Sequence, residues 1–76
     1  MVWVTITNKE PSKFNPHDYL VFFEYFGEEN FAVITSKVLA YIDKSVLSVG
    51  DKIFVVKTTG KDNKERFFVR SCKKNV

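Results

Sequence analysis

The sequence has little cysteine, histidine, proline or glycine, and these shortages exclude several kinds of protein. Among its 76 residues are one cysteine, one histidine, two prolines and three glycines. Because Cys72 has no second cysteine to pair with, a secreted scaffold held by internal disulfides is excluded. One cysteine and His17 are too few for a four-ligand zinc site. The glycines are dispersed, so the chain has no glycine-rich phosphate-binding loop.

A catalytic constellation is missing as well. His17 lies in a proline-containing segment without an identifiable partner, which is typical of a structural or exposed histidine and not of a general base. Cys72 has no neighbouring base that would activate its thiol. We therefore expect a protein that is not an enzyme, carries no metal or other cofactor and acts on no small-molecule substrate.

Long hydrophobic runs are absent too. No apolar stretch approaches the ~20 residues that span a bilayer, and residues 1–7 alternate like a strand instead of forming the core of a signal peptide. A lone cysteine suits a reducing compartment. These features predict a cytoplasmic protein, of cellular or viral origin, with no membrane partner.

Apolar and aromatic residues are abundant, at 45% and 16% of the chain. This content is too high for a disordered chain and predicts a folded protein. A chain of this length allows a single domain over residues 1–76, with a basic tail at residues 73–76.

Alternation of apolar side chains with a period of two predicts five strands. The predicted order is strand 2–7, loop 8–18, strand 19–26, hairpin turn 27–30, strand 31–35, a helical segment within 36–47, strand 50–57, loop 58–64 and strand 65–72. The predicted buried core is Val4, Ile6, Val21, Phe23, Ile53, Val55, Phe67 and Val69. This order matches an all-β fold, a small five-stranded Greek-key barrel of the OB type, and barrel closure would remove the sheet edges.

Residues 36–47 fit two structures. In a helix capped by Ser36 and ended by Gly50, one side is apolar. The apolar residues on that side are Val38, Leu39, Ile42 and Val46. The β-branched content also permits a strand to about Ile42, so the strand stays open as an alternative while the short helix is favoured.

Positive charge is concentrated in the last third of the chain. Residues 1–50 carry four lysines against six acidic residues, whereas residues 51–76 carry eight lysines and arginines against three acidic residues. Such asymmetry indicates a positive face that attracts a polyanion, although a solvated surface with a basic tail has the same composition.

Aromatic residues lie among these cations, a pattern typical of single-stranded nucleic-acid binding, in which Lys and Arg contact phosphates and flat rings stack on bases. On the last strand, Arg66, Phe68 and Arg70 should share an outer face with Cys72, with the Phe68 ring between the two guanidiniums. We place Lys9 and Lys13 in the loop after the first strand. The candidate binding residues are Trp3, Lys9, Lys13, Phe22, Phe26, Lys57, Lys61, Lys64, Arg66, Phe68 and Arg70.

Three segments resemble a known family. Gly50-Asp51-Lys52-Ile53 and Arg70-Ser71 resemble the Gly-Asp-Lys-Val start and the Arg-Ser end of the last two strands in bacterial translation initiation factor 1, an S1-like OB fold. Residues 32–37 are similar to that family's Ala-x-Ile-x-Gly-Lys. Where the family has a Lys/Arg run for the ribosome, residues 38–43 read Val-Leu-Ala-Tyr-Ile-Asp. The resemblance therefore implies an OB fold and nucleic-acid binding, and the departure argues against a ribosomal role.

The layout also resembles the gene-five single-stranded DNA-binding proteins of filamentous phages. The shared arrangement is a short first strand, a long loop, aromatic strands and a final hairpin. We therefore expect sequence-tolerant binding of single-stranded nucleic acid, with DNA slightly favoured over RNA because the basic run is missing. A homodimer formed through the final hairpin is expected as well.

A different resemblance leaves a second function open. Residues 21–27, followed by Ala32 and Leu39, are similar to the central hairpin of Tudor and PWWP domains, which hold methyl-lysine in an aromatic cage. The Pro-Trp-Trp-Pro-like element is absent, and the final hairpin is left over. The alternative is a protein-interaction module with an SH3-like or Tudor-like barrel, or a small inhibitor of a host protein such as a phage makes.

Overall fold

The structure is a computed structural model that describes residues 1–42 and 46–75. Within these residues the chain forms five strands and one short helix. The elements are β1 (Val2–Pro11), β2 (Tyr19–Tyr25), β3 (Glu28–Ile34), α1 (Ser36–Tyr41), β4 (Lys52–Thr59) and β5 (Glu65–Lys73). The predicted order of five strands, with a helix after the third, is confirmed.

The five strands form one strongly curled antiparallel sheet, a half-barrel with strand order β3-β2-β1-β4-β5. β1 lies at the centre because it pairs with both β2 and β4. The curl brings β3 and β5, the two edge strands, towards each other, and α1 contacts both of them. The concave side of the sheet and α1 therefore enclose the core.

The core consists of the inward-facing residues of the strands and of the segment around α1. Its buried members are Ile6, Val21, Phe23, Ala32, Ile34, Val38, Ile42, Leu47, Ile53, Val55 and Val69. The predicted core residues Val4 and Phe67 are half-buried and pack against this group. Leu47, fully buried, was not predicted, because residues 46–49 have no strand or helix periodicity.

β1 is longer than predicted, and the predicted loop 8–18 begins later. Ile6 pairs with Phe23 but Asn8 pairs with Phe22, so Thr7 is an extra residue, a β-bulge. Beyond the bulge the strand continues to Pro11. A proline is accommodated there because it is the last residue of the strand. The bulge also reverses the alternation, so that Lys9 pairs with the inward-facing Val21 and is a strand residue.

The β2–β3 turn also differs from the prediction. Tyr25 pairs with Glu28, so the turn consists of Phe26 and Gly27 and not of residues 27–30. Both turn residues have positive φ, 51° at Phe26 and 82° at Gly27, as a type I′ hairpin turn requires. Phe26 was predicted to be the last residue of the second strand and a binding residue. Instead it stands 87% exposed at the tip of the hairpin in a conformation that bulky side chains rarely adopt.

We expect Phe26→Asn to be more stable than Phe26→Ala. Both substitutions remove the ring and its edge contact with Tyr25, 4.6 Å between centroids. Only asparagine tolerates the left-handed conformation well, which costs most other residues about 1–2 kcal/mol. Thermal unfolding followed by circular dichroism should therefore give the asparagine variant the higher Tm, by roughly 4–8 °C per 1 kcal/mol for a domain of this size. Equal Tm values would contradict the turn assignment.

The short helix favoured for residues 36–47 is present, but its N-cap lies one residue before the predicted N-cap. Thr35, not Ser36, is the N-cap: its hydroxyl accepts a hydrogen bond from the Val38 N–H. The helix ends at Tyr41, well before Gly50. Val46, expected on the apolar side, is 62% exposed. The predicted segment also includes residues 43–45, which lie outside the described residues.

A second β-bulge, in β5, corrects the face assigned to Cys72. Val55 pairs with Val69 but Phe54 pairs with Ser71, so Arg70 is an extra residue. From there the alternation is reversed, and Cys72 pairs with the buried Ile53 and packs against the core. The expectation that Cys72 faces outward was wrong for this reason.

The predicted basic tail at residues 73–76 is largely part of the fold. Lys73 is the last residue of β5. The Lys74 ammonium and the Asn75 N–H donate hydrogen bonds to Asp51, at 2.5 Å and 2.9 Å. These contacts fasten residues 73–75 to the start of β4, so they are not a loose polycation.

Candidate nucleic-acid interface

The outer face of β1, β4 and β5 brings aromatic rings and cations together. In register, Trp3 of β1 lies beside Phe54 of β4, which lies beside Ser71 of β5. We call this the β1–β4–β5 outer face and define it by six residues. They are Trp3, Lys52, Phe54, Phe68, Arg70 and Lys73.

One end of this face is an indole with a lysine above it. The centroids of the Trp3 and Phe54 rings are 5.3 Å apart. The Lys73 ammonium lies 5.0 Å from the centroid of the Trp3 ring, within cation–π distance. Trp3 is 40% exposed, so part of the indole is open to a ligand.

The other end combines β5 with the end of α1. The rings of Phe68 and Tyr41 meet edge to face, 5.3 Å between centroids. The Arg70 guanidinium lies 5.9 Å from the Phe68 ring and 5.8 Å from the Tyr41 ring. The bulge at Arg70 places this guanidinium above both rings.

The cations of this face form no ion pair within the part of the chain that the structure describes. Among residues 1–42 and 46–75, no carboxylate lies within 4.0 Å of the charged nitrogens of Lys52, Arg70 or Lys73. The outward positions of β4 and β5 carry no aspartate or glutamate. The face is thus electropositive, with rings that a planar base can stack against.

Of the sequence-predicted residues, Trp3, Phe68 and Arg70 lie together on this face. Phe68 is half-buried against Tyr41, so it offers one side of its ring and not a free ring. Arg66 lies on the same strand, but its guanidinium is held by Asp62 at 2.9 Å. Arg66 and Phe68 are two residues apart on one face of β5, as predicted, but the ion pair with Asp62 makes Arg66 a weaker candidate for a phosphate contact.

Two predicted lysines are engaged within the fold. The Lys9 ammonium donates to the Leu47 carbonyl at 2.9 Å and lies 4.3 Å from the Tyr19 ring centroid. Lys57 forms an ion pair with Glu65 at 2.9 Å, and this hydrogen bond raises the pKa of Lys57 above its ordinary value of 10.5. Both cations already have partners, which makes them weaker candidates for phosphate contacts.

The remaining predicted residues lie elsewhere on the surface. Phe22 is on the outer face of β2, with its ring 6.1 Å from that of Phe31. Lys13 is exposed in the loop between β1 and β2, and Lys61 and Lys64 are exposed in the loop before β5. The eleven predicted residues therefore do not form one site.

Lys52, Phe54 and Lys73 were missed by the sequence-based prediction. Phe54 alternates with the predicted core residues Ile53 and Val55, so strand periodicity already placed it on the outer face. Lys73 had been assigned to the tail, beyond the end of the predicted strand. Its proximity to Trp3 depends on the pairing of β1, β4 and β5, which the sequence does not specify.

No described residues form a metal site or a membrane span. Among residues 1–42 and 46–75, no group of three or more histidine, cysteine, aspartate and glutamate side chains is placed to hold a metal ion. In the same part of the chain, no helix has the length and apolar content to cross a membrane.

Comparison with known proteins gives no match: no family model, curated protein or solved structure matches this chain.

Proposed function

We propose that the protein binds single-stranded nucleic acid without strong sequence preference, through the β1–β4–β5 outer face. The observation that carries the proposal is that two of the three cations on this face lie over rings, Lys73 over Trp3 and Arg70 over Phe68, and that the outward positions of β4 and β5 carry no carboxylate. Bases stack on the rings while the neighbouring cations contact phosphates. Single-stranded DNA is the first candidate, and RNA is the second.

We also propose that the fold is of the OB type. The sheet order β3-β2-β1-β4-β5, the approach of β3 and β5, and the helix between β3 and β4 support this assignment. OB folds commonly bind oligonucleotides through the face of strands two and three. Here that face carries Glu24 opposite Glu29, so we place the binding site on the other half of the sheet.

The test is binding of a fluorescein-labelled oligothymidylate across a salt series, measured by anisotropy. Trp3→Ala should weaken binding by about 1–3 kcal/mol, the contribution of stacking on one base, and leave the salt slope nearly unchanged. Lys73→Ala should lower the salt slope by about 0.7, because one phosphate contact on a single strand is lost. Since Trp3 is the only tryptophan, quenching of its fluorescence reports stacking directly.

The controls lie on other surfaces. Phe31→Ala removes an exposed ring from the outer face of β3, and Lys13→Ala removes an exposed cation from the β1–β2 loop. Both variants should bind like the wild type. Labelled RNA and duplex DNA of the same length test the choice of nucleic acid. The proposal would be rejected if the wild type does not bind at low salt. It would also be rejected if Trp3→Ala and Lys73→Ala both bind as tightly as the wild type.

A further inference from the structure

The outer face of β2 and β3 carries an apolar patch of four side chains, which are Leu20, Phe22, Phe31 and Val33. Leu20 pairs with Val33 in one row of the sheet. In the next row Phe22 pairs with Phe31, and their ring centroids are 6.1 Å apart. Phe31 and Val33 are 53% and 43% exposed. Apolar surface that is rimmed by polar residues marks a contact site for another molecule.

Carboxylates border this patch at one end and on one flank. In the next row towards the hairpin turn, Glu24 pairs with Glu29. On the β1 flank, Glu10 pairs with Leu20. Within residues 1–42 and 46–75, no lysine, arginine or histidine nitrogen lies within 4.0 Å of these three carboxylates. Like charges directly opposite each other on two strands are destabilising, so the stability of the fold does not explain the pairing of Glu24 with Glu29.

The side of the patch at the β3 edge adds little charge. Residues 64–67 lie beside β3 there. Of these, Glu65 and Arg66 each form an ion pair at 2.9 Å. Lys64 is then one cation against three carboxylates around the described patch. The border of the patch therefore repels phosphate groups and attracts a partner with lysine or arginine side chains.

A second copy of this chain does not suit the patch. A two-fold interface uses the same residues on both sides, so the carboxylates of one copy would face those of the other. Contacts between like charges oppose association. The charge of the patch thus favours a different protein of opposite charge.

The backbone beneath the patch favours a helix as the docking element. β2 pairs with β1 on one side and with β3 on the other, so its main-chain groups are already hydrogen-bonded. A strand laid on this face would leave its own N–H and C=O groups without partners. A helix forms its hydrogen bonds internally and packs an apolar side on a sheet face. The three rows from Leu20 to Glu24 span about 14 Å, the length of roughly nine helical residues.

We propose that the apolar patch binds a basic amphipathic helix of another protein. Apolar side chains of the helix cover Phe31 and Val33. Its lysines or arginines lie near Glu10, Glu24 and Glu29 and relieve the repulsion between the last two. The patch shares no residue with the β1–β4–β5 outer face, so this site does not rest on the proposed nucleic-acid binding.

The experiment is an NMR titration of the ¹⁵N-labelled protein with a capped peptide, acetyl-Ser-Leu-Lys-Ala-Leu-Leu-Ala-Lys-Leu-Lys-Ala-Lys-Leu-amide. In a helix its leucines share one side, and its lysines lie on the borders of that side. Amide signals of residues 20–24 and 29–33 should shift and saturate, while the Trp3 indole signal stays in place. Two control peptides should bind about tenfold more weakly or worse. One has glutamate at every lysine, and the other has proline at the central alanine, which breaks the helix.

Variants of the protein separate a direct contact from a general effect of charge. Glu29→Gln should weaken binding of the lysine peptide about three- to fivefold, as for an exposed ion pair, and its Tm should be no lower than that of the wild type. Glu28→Gln is the matched control, because it makes the same change in charge one residue away on the opposite face of β3. It should bind like the wild type. Phe31→Ala should weaken binding about tenfold, as for an aromatic contact residue, and Trp3→Ala should not.

The proposal would be overturned by the absence of any shift, by shifts confined to the β1–β4–β5 outer face, or by equal binding of either control peptide. Equal effects of Glu29→Gln and Glu28→Gln would also contradict it. Patch signals that shift on addition of oligothymidylate would assign the patch to nucleic acid instead. Patch signals that move with protein concentration before peptide is added would assign it to a second copy of the chain. A failure of oligothymidylate to bind anywhere leaves the peptide readings unchanged.

Discussion

Phe23→Ala is expected to remove most of the stability of the protein. Phe23 is fully buried on the inward face of β2, and its ring meets that of Phe67 edge to face, 5.2 Å between centroids. Truncation of a buried phenylalanine costs about 3–5 kcal/mol, because burial is lost and a cavity remains. A domain of this size has roughly 4–11 kcal/mol in total, at 0.05–0.15 kcal/mol per residue. Urea denaturation followed by circular dichroism measures the loss.

Phe14→Ala is the matched control, because it makes the same chemical change at a ring that is 98% exposed in the loop between β1 and β2. Its stability should stay within about 0.5 kcal/mol of the wild type. Phe67→Ala, at a half-buried position on the other side of the same ring contact, should fall between the two. If Phe23→Ala unfolds at the wild-type urea concentration, the inward face of β2 has been assigned wrongly.

Asp51→Asn is expected to have the second-largest effect. The Asp51 carboxylate is only 3% exposed and accepts hydrogen bonds from the Ser48 N–H, the Asn75 N–H and the Lys74 ammonium. It thereby joins residues 48 and 74–75 to the start of β4. Hydrogen bonds to a charged group contribute about 1.5–3 kcal/mol, so loss of the carboxylate should cost roughly 2 kcal/mol.

The pH dependence of stability tests the same carboxylate. The Lys74 hydrogen bond, followed by that of the Asn75 N–H, lowers the pKa of Asp51 below its ordinary value of 3.8. A group with a lowered pKa in the folded state contributes stability above its unfolded pKa and loses it as pH falls through the folded pKa. The Tm difference between wild type and Asp51→Asn should therefore be constant at neutral pH and shrink below about pH 4.

Asp62→Asn is the matched control, because it makes the same chemical change in an exposed ion pair with Arg66. Asp62 lies in the loop that connects β4 and β5. Surface pairs contribute about 0–1 kcal/mol, so its effect should be small. A Tm difference between wild type and Asp51→Asn that does not change between pH 7 and pH 3 would contradict the role given to the Asp51 charge.

The candidate interface was predicted only in part, because sequence periodicity places side chains on faces but does not pair the strands. Trp3 and Phe68 were expected on outer faces, where the structure places them. The pairing of Trp3 with Lys73 joins residues from the two ends of the chain through β4. The hydrogen bond from Lys9 to the Leu47 carbonyl and the ion pair between Arg66 and Asp62 likewise depend on the folded geometry.

The sequence by itself determined the order of the elements along the chain and the position of the short helix. It also determined most of the core, because alternation with a period of two separates buried from exposed side chains within each strand. Only the tertiary structure decided where that alternation reverses. The extra residue Thr7 in β1 brings Lys9, which was predicted in a loop, into register with Val21. The extra residue Arg70 in β5 turns Cys72 to the opposite face from the one predicted. A bulge is a property of the pairing between two strands, so nothing in either strand alone indicates it.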